Sequence, residues 1–219
     1  MPKPIDIKIA QFTKSDSLEK SIDNSLVWEV FQKNNNEVLK YFMKFQQTWV
    51  NQSYSVFKDF DTYLVLIYLI NKVFLNLSDR FHYMSFESFY NQEKLSIDKI
   101  NLIEISKDLN IPKETIRRKV NFLQEEGIIF RDGKSIFLNV PKIGIQKPVT
   151  SIGLIATCLE KFSNLLSVNT WFGDKINQET IVKFIHDHFT VSWEYFFRFQ
   201  IPYLVRHRTF FGDLESWNV

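Results

Sequence analysis

Four basic side chains fall within seven residues of one another, in the segment from Lys113 to Lys119. Glu114 is the one acidic residue among them. Ammonium and guanidinium groups neutralise phosphates, and Arg or Lys can also bond the acceptor atoms of guanine. A Glu can accept a hydrogen bond from the amino group of cytosine. The chemistry that these residue types offer is therefore nucleic-acid binding.

The spacing of apolar residues predicts that this segment is an amphipathic helix. Ile116, Val120 and Leu123 recur every three or four residues, which places them on one helix face that can be buried. The four basic side chains lie away from that face in such a helix. The pattern continues to about Glu126, and Gly127 is expected to end the helix because glycine readily adopts a left-handed conformation.

A shorter helix is predicted just before it, over residues 101–109. Asn110 follows at the point where the chain must reverse, and Asn tolerates the left-handed conformation better than most residues. Ile111 is expected to pack between the two helices, and Pro112 suits the start of the second helix because it cannot continue the first. The apolar residues of the shorter helix share one face: Leu102, Ile105 and Leu109.

A β-hairpin is predicted after Gly127. Asp132-Gly133 lies between two apolar, β-prone runs, which is a strong hairpin pattern. Arg131 and Lys134 flank the tip of this hairpin and add positive charge beside the basic helix.

This order of helix, tight turn, basic helix and basic-tipped hairpin resembles the winged helix-turn-helix regulators. The segment 105–129 resembles the DNA-binding core of the MarR and catabolite-activator families, and segments 113–118 and 133–136 are most similar to the catabolite-activator type. The resemblance covers about one fifth of the chain. Residues 1–95 depart from the catabolite-activator pattern, since they look helical and contain no Gly, whereas that family's cyclic-nucleotide domain is a β-roll. Helices on both sides of the wing are more similar to MarR-type dimers.

The helix-turn-helix resemblance implies a role for each polar residue, because such proteins read bases from the amino-terminal end of the second helix. The expected base contacts are Lys113, Glu114 and Arg118. The expected contacts to the DNA backbone are Thr115, Arg117, Lys119, Arg131 and Lys134.

The rest of the chain is predicted to be mostly α-helical, so the expected fold class is mostly α with a small β-hairpin wing. We expect a flexible arm at 1–16, a dimerising helical region at 17–95, a winged helix-turn-helix at 96–142, and a helical region for dimerisation or effector binding at 148–219. Predicted helices span 17–33, 37–51, 56–82, 85–95, 150–169, 178–189 and 190–209, with Pro202 capping or kinking the last. The helix at 56–82 is apolar on most sides, which predicts a central position in a domain or a subunit interface.

Composition narrows the class of protein. The net charge is only +2, which argues against a coat of basic residues but not against a localised DNA-binding face. One cysteine, Cys158, excludes a disulfide framework and favours a reducing, cytoplasmic compartment. The amino terminus lacks an apolar signal-peptide core, and the most apolar run, 63–70, is too short to span a bilayer, so no membrane partner is expected.

Other groups that could carry chemistry favour structural roles. His186 and His188 point to different sides of a helix and, with His207, are interpreted as surface or interface residues rather than metal ligands. Cys158 is expected to be buried and inert rather than a redox sensor. The aromatic cluster is interpreted as core or dimer seam, with an effector pocket as the alternative: Trp193, Tyr195, Phe196, Phe197, Phe199 and Tyr203.

The sequence contains no P-loop, dinucleotide-binding turn, G-x-S-x-G or H-E-x-x-H motif, so we expect neither an enzyme nor a cofactor. The function predicted from sequence is a transcriptional regulator that binds double-stranded DNA sequence-specifically as a homodimer, with a small-molecule effector as a further candidate partner. The alternative is a winged-helix protein-interaction module, or an adaptor in replication or segregation, without sequence-specific DNA binding.

Overall fold

A computed structural model describes residues 24–57, 59–80, 82–97, 101–132, 135–144, 149–169 and 175–212. The expected arm at 1–16 lies outside these residues, as do Lys134 and the start of the helix predicted at 17–33. The described part is mostly helical, with one small antiparallel sheet, as the composition predicts. Its helices are α1 (Asn24–Lys33), α2 (Asn35–Phe57), α3 (Phe60–Asp79), α4 (Phe86–Tyr90), α5 (Leu102–Leu109), α6 (Lys113–Glu125), α7 (Val140–Gly144), α8 (Val149–Asn169), α9 (Gln178–Asp187) and α10 (Phe189–Phe211).

Three short strands form the sheet: β1 (Lys94–Ile97), β2 (Ile129–Asp132) and β3 (Ser135–Asn139). β3 lies between β1 and β2 and pairs antiparallel with both. Leu138 is opposite Leu95 on one side and Ile129 on the other, and these three side chains are buried. The hairpin predicted around Asp132-Gly133 is β2–β3.

β1 was not predicted from the sequence. Residues 85–95 were expected to be helical, whereas α4 ends at Tyr90 and a strand begins at Lys94. The strand exists because its backbone pairs with β3, more than 35 residues later in the chain. The sheet consequently includes residues before 96, where the winged segment was expected to begin.

α3 lies at the centre of the fold. It begins at Phe60 because the carboxylate of Asp59 accepts a hydrogen bond from the backbone N–H of Thr62, which caps the helix. This start corrects the helix predicted at 56–82, whose first residues belong to α2. α3 contacts α2, α5, α6, α10 and β1, so its apolar faces are covered by its own chain.

The length and apolarity of α3 are those of a helix that can cross a membrane, although 61% of its most apolar 18-residue window is buried inside the chain. A central core helix has the same composition, so this single helix is weak evidence for a membrane span. The burial of α3 also means that its apolar surface does not by itself require a subunit interface.

Rings from α10 and α4 fill the space against α3. Phe74 of α3 is stacked with Phe197 at a centroid distance of 6.1 Å and is 5.5 Å from Phe89. α10 continues through Pro202 to Phe211. Of the two roles predicted for this proline, a helix cap is therefore wrong. The aromatic cluster predicted in this helix divides between core and surface: Trp193 and Phe197 are buried, Phe196 and Tyr203 are partly buried, and Tyr195 and Phe199 are exposed.

Candidate nucleic-acid interface

The turn between α5 and α6 has the conformation that the sequence predicts. Asn110 has φ 52° and ψ 40°, a left-handed conformation in which the chain reverses after α5. Ile111 follows and is 1% exposed, so it packs between the helices as expected. The hydroxyl of Ser106 donates to the carbonyl of Ile111 at 2.6 Å, which ties the turn to the last part of α5.

The inner face of α6 anchors the helix to the fold. Ile116 and Leu123 are fully buried, and Val120 is almost so. α6 ends at Glu125, and Gly127 has φ +69°. The backbone N–H of Ile128 then donates to the carbonyl of Leu123 at 2.9 Å, a bond that a left-handed residue at the helix end permits.

The outer face of α6 carries exposed charges. Lys113, Glu114, Arg117 and Arg118 are all exposed. Arg117 Nε donates to Glu114 at 3.0 Å, and Arg118 donates to the hydroxyl of Thr115 at 3.4 Å. Such exposed bonds within a helix are weak, so a phosphate or a base edge can replace them at little cost. The positive charges of this face are available for a ligand.

Lys119 occupies a different position from the one expected. It lies on the side of α6 that meets α3, where its side chain is only 22% exposed and donates to the carboxylate of Asp59. Burial would raise the pKa of the Asp59 carboxyl, but hydrogen bonds from Lys119 and Thr62 hold this pKa below its usual value. The sequence-based expectation that Lys119 faces away from the fold is therefore wrong, and its contact with phosphate stays a prediction.

The β2–β3 hairpin carries another exposed basic residue, Arg131, and its strand β2 contacts α6. Ile129 and Arg131 lie on one face of β2 because alternate residues of a strand share a face. Ile129 is fully buried and Arg131 is exposed. Asp132 pairs with Ser135. Lys134 and its predicted contact to the DNA backbone lie outside the described residues.

Sequence reasoning missed one residue on the outer face. Asn121 is exposed and lies seven residues after Glu114 and three after Arg118, a spacing that places the three on one side of a helix. Asn can form two hydrogen bonds to adenine. The helical spacing in the sequence could have identified it. No such pattern could have identified Arg208, which bonds the backbone of Asn110 from α10.

Side chains suggested as metal ligands or a redox sensor occupy other surroundings. Each histidine ring packs against an aromatic ring in a tilted arrangement: His186 against Phe86, His188 against Phe184 and His207 against Tyr203. Within the residues that the structure describes, no group of three His, Cys, Asp or Glu side chains can hold a metal ion. Burial raises the pKa of Cys158 to about 11, so its thiol is protonated and poorly nucleophilic at neutral pH.

Comparison of the chain with family models, curated proteins and solved structures gives no match.

Proposed function

We propose that residues 94–139 form a winged helix-turn-helix that binds double-stranded DNA, and that the protein regulates transcription through it. The observation that carries this proposal is the exposed basic face of α6, which follows a left-handed turn and lies beside a hairpin with Arg131 near its tip. A helix with its apolar face buried and its basic face free fits the major groove of B-DNA, which is wide enough to admit it.

The amino-terminal half of α6 is the part that enters the groove in helix-turn-helix proteins. Lys113 and Arg118 offer donors to guanine, and Glu114 offers an acceptor to cytosine. Arg117 and Thr115 lie to the sides of this line and suit phosphate oxygens. Arg131 on the hairpin then contacts the backbone beside the main site, which fixes the orientation of the unit without reading sequence.

The alternative is a winged-helix module that binds another protein. One observation favours it: the apolar side chains of Ile103 on α5 and Phe122 on α6 are 63% and 42% exposed. Exposed apolar side chains contribute little to a phosphate interface and suit a protein partner better. The exposed charged side chains of α6 outnumber the exposed apolar side chains of α5 and α6, which is why we favour DNA.

The test is selection of binding sites from random duplexes by the full chain at several salt concentrations. We expect one enriched sequence and an affinity for it that falls as salt rises, because bound phosphates release counterions. A variant with Lys113→Ala and Arg118→Ala should lose the enrichment. If the wild-type chain enriches no sequence at any salt concentration, the regulator proposal fails and the protein-interaction module replaces it.

A further inference from the structure

Two carboxylates at the amino-terminal end of α3 each pair with a basic side chain of another helix. Asp59 accepts a hydrogen bond from the side chain of Lys119 on α6 while it caps α3. Asp61 accepts from Arg208 of α10, with Nε at 2.8 Å and Nη2 at 3.3 Å. The start of α3 therefore joins α6 and α10 through two separate ion pairs.

Arg208 also bonds the turn of the helix-turn-helix. Its Nη1 donates to the backbone carbonyl of Asn110 at 3.0 Å. The amide of Asn110 in turn donates to the hydroxyl of Thr209 at 3.1 Å. Because Asn110 is the left-handed residue that sets the angle between α5 and α6, these bonds attach that angle to α10 and, through Asp61, to α3.

A third set of bonds attaches α5 to the middle of α3. The hydroxyl of Tyr68 donates to Asp108 at 2.6 Å, and Lys72 pairs with Glu104. Each segment of the helix-turn-helix, namely α5, its turn and α6, is thus bonded to the helical part of the fold by polar side chains as well as by apolar packing.

The two ion pairs at the start of α3 differ from the surface pairs of this chain. The Asp61–Arg208 side chains are 24% and 17% exposed and bonded through two nitrogens, whereas the Lys183–Asp187 side chains on α9 are 73% and 53% exposed. A two-bond guanidinium–carboxylate pair shielded from water fixes geometry far better than an exposed pair on one helix. Negative charge is also favourable at the start of a helix.

We propose that Asp59, Asp61 and Arg208 are positioning residues, which hold α6 at the angle at which it binds DNA without touching DNA themselves. The inference rests on the proposed DNA-binding function. It states that residues at the start of α3 hold α6 in its orientation. A recognition group must be held to within about 0.5 Å by its supporting shell, and in a dimer the angle of each α6 also sets the distance between the two half-sites. Lys119 then acts through Asp59 and not through phosphate.

The direction in which Asp59→Asn changes DNA affinity distinguishes a positioning role from a direct contact with DNA. Asp59→Asn keeps a good helix cap but removes the charge that holds Lys119. If Lys119 contacted phosphate, this change would free its charge and remove a nearby negative charge, so DNA binding would become tighter. If the pair positions α6, the same change weakens DNA binding although it makes the chain more positive.

The experiment measures fluorescence anisotropy of the selected duplex with Asp59→Asn, Lys119→Gln and the double variant at a series of salt concentrations. We expect each single variant to bind at least about twofold more weakly, the lower end of coupling between residues in contact. The double variant should be no weaker than either single one, and the salt slope should be that of the wild type. Asp187→Asn, which breaks the exposed pair on α9, is the matched control and should bind as the wild type does.

Arg208→Lys extends the test to the second pair, because a Lys keeps the charge but lacks the planar guanidinium that bonds Asp61 through two nitrogens and Asn110 through a third. It should weaken binding with an unchanged salt slope, and hydrogen exchange at the amides of 110–116 should become faster than in Asp187→Asn. Tighter or unchanged binding by Asp59→Asn, or a salt slope lowered by about one in Lys119→Gln, contradicts the positioning role. Wild-type protein that binds no duplex contradicts the proposed function instead.

Discussion

Arg118 is the residue of α6 for which a base contact has the most specific consequence. It is exposed, lies one turn after Glu114, and is bonded only within its own helix, to Thr115 at 3.4 Å in the described part of the chain. A guanidinium can bond two acceptors of one guanine, which fixes the identity of that base pair. A phosphate contact from the same side chain would carry no such information.

Arg118→Ala should therefore weaken binding to the preferred duplex by about 1–3 kcal/mol and relax the preference at one base pair. Repeated site selection with the variant measures both effects. Lys183→Ala, which removes an equal charge from the exposed surface of α9, is the control for charge alone and should leave the preference intact. An Arg118 variant that loses affinity equally for all sequences would place this side chain on phosphate.

The carboxyl-terminal end of α6 is as important for this helix as its buried apolar face. Gly127 has φ +69°, and a Cβ added there would meet only the flexible end of Lys142, at 3.7 Å. The constraint at this position is therefore backbone conformation and not space. Gly153 of α8 offers the contrast, since a Cβ added there meets nothing within 4 Å and its backbone is helical.

We predict that Gly127→Ala destabilises the fold by about 1–2 kcal/mol, the cost of a left-handed conformation for a residue with a side chain. Gly153→Ala should be neutral or stabilising by up to about 1 kcal/mol, because Ala is the better helix former. Urea unfolding of the two variants beside the wild type measures the difference. Equal stability of the two variants would show that the end of α6 does not depend on this glycine.

In the whole molecule, the apolar surface of α3 is buried inside one chain, whereas apolar side chains of other helices are exposed. Phe199 and Phe210 of α10 are 47% and 82% exposed, and Leu39 and Met43 of α2 are also exposed. Helix-turn-helix proteins commonly bind as dimers with their reading helices about 34 Å apart, so a helical surface outside the unit is where a second chain would pack.

We predict that the chain is a homodimer and that light scattering at micromolar concentration gives twice the mass of one chain. Phe199→Glu should shift the protein toward the monomer, because a carboxylate is costly to bury in an apolar interface. Phe184→Glu, at a ring on α9 that is 57% exposed, should not do so. A wild-type chain that stays monomeric contradicts this prediction and would restrict each chain to one half-site.

Features that depend on a few neighbouring residues can be predicted from the amino-acid sequence alone. The left-handed Asn110, the end of α6 at Gly127 and the β2–β3 hairpin all follow from the backbone preferences of single residues. The approximate positions of the long helices and the buried face of α6 follow from apolar residues that repeat every three or four positions. Such preferences act over one or two turns and can be read without knowing the fold.

Features that depend on residues far apart in the chain become apparent only when the chain is folded. β1 has four residues, too few for a clear pattern, and is a strand because β3 pairs with it. In the sequence, Lys119 does not differ from the exposed basic residues of α6. Its pairing with Asp59, sixty residues earlier, exists only in the folded chain. Arg208 reaches Asp61 across 147 positions. Packing of helices brings these groups together, and that packing is set by the summed burial of many apolar side chains, which no local pattern in the sequence specifies.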